Sequence, residues 1–275
     1  LRVSIVPVRP DWQLLARCLR KLALAIGAAR ESGVLRTVHV ALVDNSADRA
    51  IAAKVVDLGR TRFADSGVQV SYVHGHQNIG YGAAHNLALH GSGADYHLVL
   101  NPDVELAADA LLNAVRWMNA HPDVGAIAPQ VKRRDGTRDY LVKRKPAVLD
   151  LALRGFMPRV GRLLFRSRLD RYEMRDVIDA DPERDIVDVA AMSGACMLLR
   201  RKAVDQTGGF DPRFFLYFED YDWTVRLNKV TRTAYVPSFE VVHHGGGASR
   251  KGMRHVGHFM KGGWRYYRKH GWKWL

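Results

Sequence analysis

The sequence predicts an α/β protein: a mostly parallel central sheet with helices on both faces. Two observations lead there. Through the first half, short apolar runs such as "VSIVPV", "VALVD", "VSYV" and "YHLVL" alternate with segments of helical period. Two of those runs end on acids, Asp44 and Asp103, at the strand ends where an open α/β sheet holds its ligands.

The elements follow in order. "VSIVPV" is a strand. "DWQLLARCLRKLALAIGAARESG" is amphipathic, with Asp11 in the N-cap position and Gly33 at its end. "TVHVALVD" and "VQVSYVHG" are the second and third strands. "GYGAAHNLALHGSG" is a short helix closed by glycines, and "YHLVLNPD" is the fourth strand. After it, "VELAADALLNAV" looks helical from its start, and "VGAIAPQV" is a further strand. Residues 131–185 are basic and poorly periodic, and read as a partly mobile excursion over the sheet. Order returns with "DIVDVAAMSGACMLLRRKAV" and "FDPRFFLYFEDYDWTVRL", then a short strand "TAYVP", then "EVVHHGGGAS". There are no internal repeats and no low-complexity tract.

The chain has 275 residues and is 47% hydrophobic, enough for one large domain or two small ones. Cys18 and Cys196 lie far apart and carry no metal-ligand spacing, which favours a reducing, cytoplasmic setting over a disulfide framework. No apolar run approaches the roughly 20 residues that span a bilayer. "LRVSIVPV" lacks the basic-then-apolar layout of a signal peptide. The formal charge is +14, from 42 Lys and Arg against 28 Asp and Glu. Two clusters stand out: "KRRDGTRDYLVKRKP", and the stretch after Ser249, which holds Arg250, Lys251, Arg254, Lys261, Arg265, Arg268, Lys269 and Lys273 with no acid. Such an excess calls for an anionic partner: nucleic acid, anionic lipid or a phosphorylated substrate.

Four constellations carry chemistry. A single strand-end acid is most often a cap, but Asp44 and Asp103 on successive strands tilt towards a site. In "HQNIGYGAAHN", Gly80 and Gly82 let backbone approach a ligand, and Asn78 and Asn86 offer amides. No Gly-Lys-Ser/Thr follows, so it is not a Walker loop, and His85 breaks a G-x-G-x-x-G pattern. "YFEDYDW" sets Glu219, Asp220 and Asp222 among aromatics, where carboxylates are costly unless they bind cations or handle protons. The plainer reading is an acidic first turn complementing a helix dipole. His243 and His244 follow an apolar strand and precede three glycines; imidazoles there ligate metal only if Asp103 lies nearby.

In this order, "SIVPV", "VDNS", "QNIGYGAAHN", "LNPDV", "SGACMLLRRKAVDQTGGFDPRFFLYFEDYDWTVRL" and "VVHHGGGAS" resemble the inverting family 2 glycosyltransferases of the GT-A fold. The match is nearest to the rhamnosyltransferase-like branch, in which "LNPD" stands where other members have Asp-x-Asp. The resemblance implies a Rossmann-like, mixed and mostly parallel central sheet flanked by helices. It implies one GT-A catalytic domain over residues 1–250, with 1–105 as the nucleotide-sugar half and 106–250 as the acceptor half. It implies Mg²⁺ or Mn²⁺ on Asp103 with His243, or His244 as second choice. Asp44 is then the nucleobase contact. Asn78, Gly80 and Asn86 line the nucleotide pocket, and Asn101 stands on the donor side in place of the first acid. Asp220 is implied as general base, with Glu219 and Asp222 next in line, and Gly194, Ala195 and Cys196 flank the acceptor. The implied reaction moves a sugar, L-rhamnose from dTDP-rhamnose by the branch, to a hydroxyl of a saccharide or polyprenyl-diphosphate-linked acceptor in cell-surface polysaccharide synthesis. The family's Thr-Tyr-Asn after the first strand is absent; Arg9, Pro10 and Asp11 stand there.

Residues 251–275 read as a basic, aromatic helical tail. Met253, Val256, Met260, Trp264 and Tyr267 recur at helical spacing. Two readings stand. The stripe lies on an anionic membrane, making the protein peripheral at the inner face of the cell membrane. Otherwise it packs on the catalytic domain. A nucleic-acid-binding protein fits the charge but leaves "LNPD", "YFEDYDW" and "HHGGG" unexplained. A catalytically silent nucleotide-sugar binder is at odds with Asp103, Asp220 and His243 together.

Overall fold

The computed structural model describes residues 1–91, 93–155, 157–245 and 252–275, with Pro158 described by its backbone alone. Ser92 of "GSG", Phe156, Gly246 and Gly247 of the glycine run, Ala248, Ser249, Arg250 and Lys251 lie outside the described residues.

The chain begins with β1 (Arg2–Ile5), α1 (Trp12–Glu31), β2 (His39–Val43), α2 (Arg49–Phe63), β3 (Gln69–Val73), α3 (Tyr81–Leu89) and β4 (Tyr96–Leu100). Then come β5 (Val104–Leu106), α4 (Ala110–Ala120), β6 (Val124–Lys132), β7 (Arg138–Asp139) and β8 (Val142–Lys143). Four short helices follow: α5 (Val148–Gly155), α6 (Pro158–Leu164), α7 (Arg166–Tyr172) and α8 (Arg175–Ile178). The chain continues through β9 (Ile186–Val187), β10 (Ala191–Met192), β11 (Cys196–Arg200), α9 (Arg201–Thr207), α10 (Glu219–Leu227), β12 (Arg232–His243) and α11 (Gly252–His270).

Among the described residues, the main sheet runs β3-β2-β1-β4-β11-β6-β12-β5. Its first four strands are parallel. β11 is antiparallel to both β4 and β6, and β12 is parallel to β6 but antiparallel to β5. All five residues of β4 are buried, as a central strand covered on both faces requires. The Asp11 carboxylate accepts from the amides of Gln13 and Leu14, capping α1 as its sequence predicts. Leu15, Leu19, Leu22 and Ile26 of α1 then bury one apolar stripe in the core. Because β1, β2 and β4 run the same way, Pro7, Asp44 and Asn101 emerge at one edge.

The structure departs from expectation in four places. Residues 104–106 are strand, not helix, and α4 begins only at Ala110. "TAYVP" and "EVVH" belong to one 12-residue strand, whose register on β6 shifts between Val236 and Glu240. Residues 49–63, left unassigned from sequence, form α2, capped by the Asp48 carboxylate. The excursion at 131–185 carries regular structure, the two short strands β7 and β8 and the four short helices α5 to α8. Glu173, 4% exposed at its side chain, ties it together through Arg154, Arg162 and Arg175 at 3.3, 3.0 and 2.8 Å. Burial works against this carboxylate's charge, but the surrounding cations hold its pKa down to about 2.

The tail is helix α11 and is packed. Tyr266 and Tyr267 are buried with Phe214, Phe218 and Leu151. Gly262 sits so close that a Cβ there would lie 2.6 Å from the Tyr217 carbonyl oxygen. The predicted stripe is mostly the other face: Met253, Val256, Met260 and Trp264 are exposed, and only Tyr267 turns inward. Among the described residues, no helix is long and apolar enough to cross a membrane.

Candidate active site

The site forms where the parallel strands end and β12 returns beside β5. In that antiparallel ladder His243 pairs with Val104, and the His244 amide donates to the Asp103 carbonyl at 3.0 Å. This register sets His243 Nε2 3.5 Å from Asp103 Oδ1, with both side chains partly open to solvent. Gly245 packs against the pair; a Cβ there would meet Asp103 Oδ2 and come within 2.9 Å of His243 Nε2. A glycine after the two histidines is therefore a spatial requirement of this pairing. His244 points elsewhere, with Nε2 2.8 Å from Glu105 Oε1. Among the described residues, no three His, Cys, Asp or Glu side chains gather into a ready-made metal cage.

At the ends of β2 and β3 the organiser is Asn45, a residue without a distinctive signal in the sequence. Its Nδ2 donates to Asn78 Oδ1 and to the Gly80 carbonyl, and its Oδ1 accepts from the Ile79 amide at 3.0 Å. Asn78 Oδ1 also accepts from the Gly80 amide at 3.0 Å. The loop is thus cross-braced before α3 starts. Gly80 has φ +93° and presses on the backbone of Phe215, whose carbonyl accepts from the Tyr81 amide at 2.9 Å. Asp44 is 2% exposed, and its Oδ1 accepts from the Ser46 amide. Its Oδ2 is buried with no hydrogen-bond partner among the described residues. Asn86 has different work: its amide bonds both the carbonyl and the N–H of Phe210, at 2.7 and 2.9 Å. Both of its functional groups are spent on bracing the loop before α10.

Tyr81 links the two sides. Its hydroxyl lies 2.9 Å from Asn101 Oδ1 and donates to the Gly194 carbonyl at 2.6 Å. Gly194 then donates its amide to Asp220 Oδ2 at 3.0 Å, while Tyr221 donates to Asp220 Oδ1 at 2.8 Å. A Cβ on Gly194 would meet Tyr81 at 3.2 Å and the Asp220 Cβ at 3.4 Å, so a small residue lets acid and phenol converge. Burial raises the Tyr81 hydroxyl pKa well above its ordinary value, and the nearby charges of Glu219, Asp220 and Asp103 add to the shift. The one sequence signal for Tyr81 was an aromatic set between two loop glycines.

Asp220 and Glu219 form an unequal pair. Burial pushes Glu219 well above the carboxylate range, and the Asp220 charge adds to it; Glu219 Oε2 has no partner among the described residues. Asp220 is raised by burial too, but its two backbone donors favour the ionised form. The two backbone donors thus set Asp220 apart from Glu219, whose carboxyl burial pushes further towards its neutral form. Asp222 is turned away into an ion-pair network with Arg226, Lys269 and His270 at 2.9, 2.6 and 2.8 Å. It fastens α10 to α11. Cys18 and Cys196 are free and fully buried, and burial pushes both thiols up, as small hydrophobes rather than nucleophiles.

The strand-end carboxylate of Asp103 thus lies beside the His243 imidazole, and a separate carboxylate, Asp220, is held by backbone amides at the start of α10. The chain belongs to glycosyltransferase family 2: the family model described as "Glycosyltransferase like family 2" matches residues 4–254. It is 34% identical over 230 residues to the N-acetylglucosaminyl-diphospho-decaprenol L-rhamnosyltransferase of Mycobacterium tuberculosis (strain H37Rv), covering 76% of this chain and 67% of that protein. It is 29% identical over 154 residues to rhamnosyltransferase WbbL of Escherichia coli K12, covering 54% of this chain and 52% of the relative. Its fold is GT-A. It superimposes on the mannosyltransferase PcManGT of Pyrobaculum calidifontis, solved with GDP-Man and Mn²⁺, with a TM-score of 0.62 at 17% identity. That match covers 97% of this chain and 64% of the mannosyltransferase.

Proposed function

We propose that this glycosyltransferase moves L-rhamnose from dTDP-rhamnose to a hydroxyl of a saccharide carried on a polyprenyl diphosphate, with inversion at the anomeric carbon. The likeness to the mycobacterial rhamnosyltransferase carries the choice of sugar and acceptor class. The geometry supports the chemistry. Asp220, fixed by two backbone amides and raised by burial, is suited to take a proton from the acceptor hydroxyl. As it does, that oxygen bonds to the anomeric carbon and the bond from that carbon to the diphosphate oxygen breaks. A single displacement needs no covalent nucleophile.

Asp103 and His243 fit a divalent cation. They offer one hard oxygen and one imidazole nitrogen on the same side, and Mg²⁺ or Mn²⁺ in such sites takes its remaining ligands from water and substrate phosphates. A cation held there supplies Lewis-acid neutralisation of the charge on the departing nucleoside diphosphate. The unpartnered Asp44 Oδ2 suits a nucleobase N–H, because an unmet buried carboxylate oxygen costs free energy until a donor arrives. The braced Asn45–Asn78–Gly80 turn keeps backbone close to the donor. The outer face of α11, with Met253, Val256 and Trp264 interleaved with Arg254 and Lys261, suits contact with an anionic membrane holding the acceptor lipid.

The test is a donor panel with a prenyl-diphosphate-linked N-acetylglucosamine acceptor, run with Mn²⁺ and with EDTA. Transfer from dTDP-rhamnose that EDTA abolishes is the expected result. Turnover of a UDP-hexose with none of dTDP-rhamnose removes the donor assignment, and undiminished turnover in EDTA removes the metal.

A further inference from the structure

A groove of about 450 Å³ opens between α11 and the loop that precedes α10. Its walls are Phe215, Met260 and Trp264, all exposed apolar side chains, with Lys261, Arg265 and His258 among them and no acid in the lining. Neither Lys261 nor Arg265 forms an ion pair among the described residues, unlike Lys269 one turn on, which is held by Asp211 and Asp222. Two contacts frame the groove. Phe215 stacks on His258 with ring centroids 4.8 Å apart, and Gly262 packs on the Tyr217 carbonyl. It is also wired to the site. The Phe215 carbonyl holds the Tyr81 amide, the Tyr81 hydroxyl holds the Gly194 carbonyl, and the Gly194 amide holds Asp220. Asp103 and His243 are not in its lining, so it is separate from the donor's diphosphate position.

We propose that this groove is the subsite for the diphosphate and first isoprene units of the acceptor, with Lys261 and Arg265 pairing with the diphosphate and Phe215, Met260 and Trp264 packing on the prenyl chain. The inference rests on the acceptor class proposed above and deepens it. An acceptor sugar at Asp220 carries two things on its reducing end: two or more negative charges, then a hydrocarbon. A surface with cations free of ion pairs beside exposed aromatic and thioether groups, three hydrogen bonds from the base, matches that sequence of chemistries. A guanidinium and an ammonium both bind phosphate oxygens strongly when no carboxylate competes.

The experiment uses the full chain, detergent-free, with a water-soluble short-prenyl diphosphate-N-acetylglucosamine and, in parallel, an alkyl N-acetylglucosaminide without phosphate. Lys261→Ala with Arg265→Ala should raise KM for the diphosphate acceptor by roughly tenfold or more, since charge-assisted bonds of this kind are each worth about a factor of ten. The values of kcat and donor KM should hold, the alkyl acceptor should be indifferent, and the charge-keeping pair Lys261→Arg with Arg265→Lys should stay much closer to wild type than the double alanine variant. Farnesyl diphosphate alone should stabilise the wild type against heat and not the double variant, which keeps the inference testable even if rhamnose transfer is not observed. An unchanged KM for the soluble diphosphate acceptor overturns the proposal. So does a loss confined to vesicle binding, which makes the groove a membrane contact only. If the wild type turns over no rhamnose donor but farnesyl diphosphate still protects it through Lys261 and Arg265, the donor assignment fails and the groove stands.

Discussion

Gly80→Ala should damage the protein more than its size suggests, and a second positive-φ glycine with open space around it provides the comparison. Gly80 adopts φ +93° and ψ 165°, a region essentially reserved for glycine, where another residue costs about 1–3 kcal/mol. A Cβ there also lands 2.5 Å from the Phe215 carbonyl oxygen and 2.9 Å from its Cα. Those are backbone atoms and cannot swing aside, so overpacking adds about 1–3 kcal/mol more. The sum, about 2–6 kcal/mol, is comparable to much of a domain's net stability of about 5–15 kcal/mol. Gly75 shares a positive φ, +89°, but a Cβ there meets nothing within 4 Å. Gly75→Ala should therefore show the backbone cost alone. Urea unfolding of both variants reads the difference, and the excess for Gly80 combines the clash with Phe215 and any added cost of its ψ of 165°. Because that clash pushes the loop at 78–80 off the Phe215 backbone, Gly80→Ala should, under the proposed function, also raise both donor and acceptor KM. Equal destabilisation of the two variants, or less than about 1 kcal/mol at Gly80, would refute the close packing of these two loops.

Three further outcomes are expected. Tyr81→Phe removes the hydroxyl shared by Asn101 and the Gly194 carbonyl and should cost about 1–3 kcal/mol by calorimetry, with a lower kcat because Gly194 also positions Asp220. Asp222→Asn should destabilise by on the order of 3 kcal/mol and loosen α11, seen as faster hydrogen exchange over 262–270, because Arg226, Lys269 and His270 lose their shared charge. Stability should fall on acidification well above the carboxylate range. Burial lowers His85 and His97 from 6.5 to about 3, so between those values the unfolded chain binds more protons than the folded one. Stability is then full above pH 6.5 and drops by up to about 1.4 kcal/mol per pH unit per histidine as pH falls towards 3. A flat unfolding free energy from pH 7 to 5 would contradict the burial of both rings.

What the sequence made legible was local. β1 to β4 announce themselves as apolar runs, and Asp11 marks the start of α1 by its side chain alone. α2 was missed because its buried face is Ala52, Val55, Gly59 and Phe63, two of them too small to draw an apolar stripe. β5 was read as helix because three residues, "VEL", carry no period of their own. Its reason for being a strand is β12, more than 130 residues later. β12 looked like two strands because the register shift after Val236 interrupts the alternation. The site followed the same rule. Asp103 and Asp220 stood out as acids in unlikely company. Which histidine faces Asp103 depended on the β12 register, which brings His243 beside Asp103 and turns His244 to Glu105. Asn45 and Tyr81 are ordinary residues by composition, and their importance lies in bonds to loops that only the fold brings together. Asp222 and Asn86 carried the right chemistry in sequence, but α11 and Phe210 already occupy them.

The assignment of Asp220 as the base is tested most directly by Asp220→Asn in a single-turnover transfer assay, paired with dTDP binding followed by heat denaturation. The amide keeps the carboxylate's shape but cannot accept the acceptor's proton. The expected result is a rate reduced by about a hundred- to ten-thousandfold with nucleotide binding close to wild type. Turnover within a few-fold of wild type contradicts the account and moves the base elsewhere, with Glu219 the adjacent carboxyl to examine.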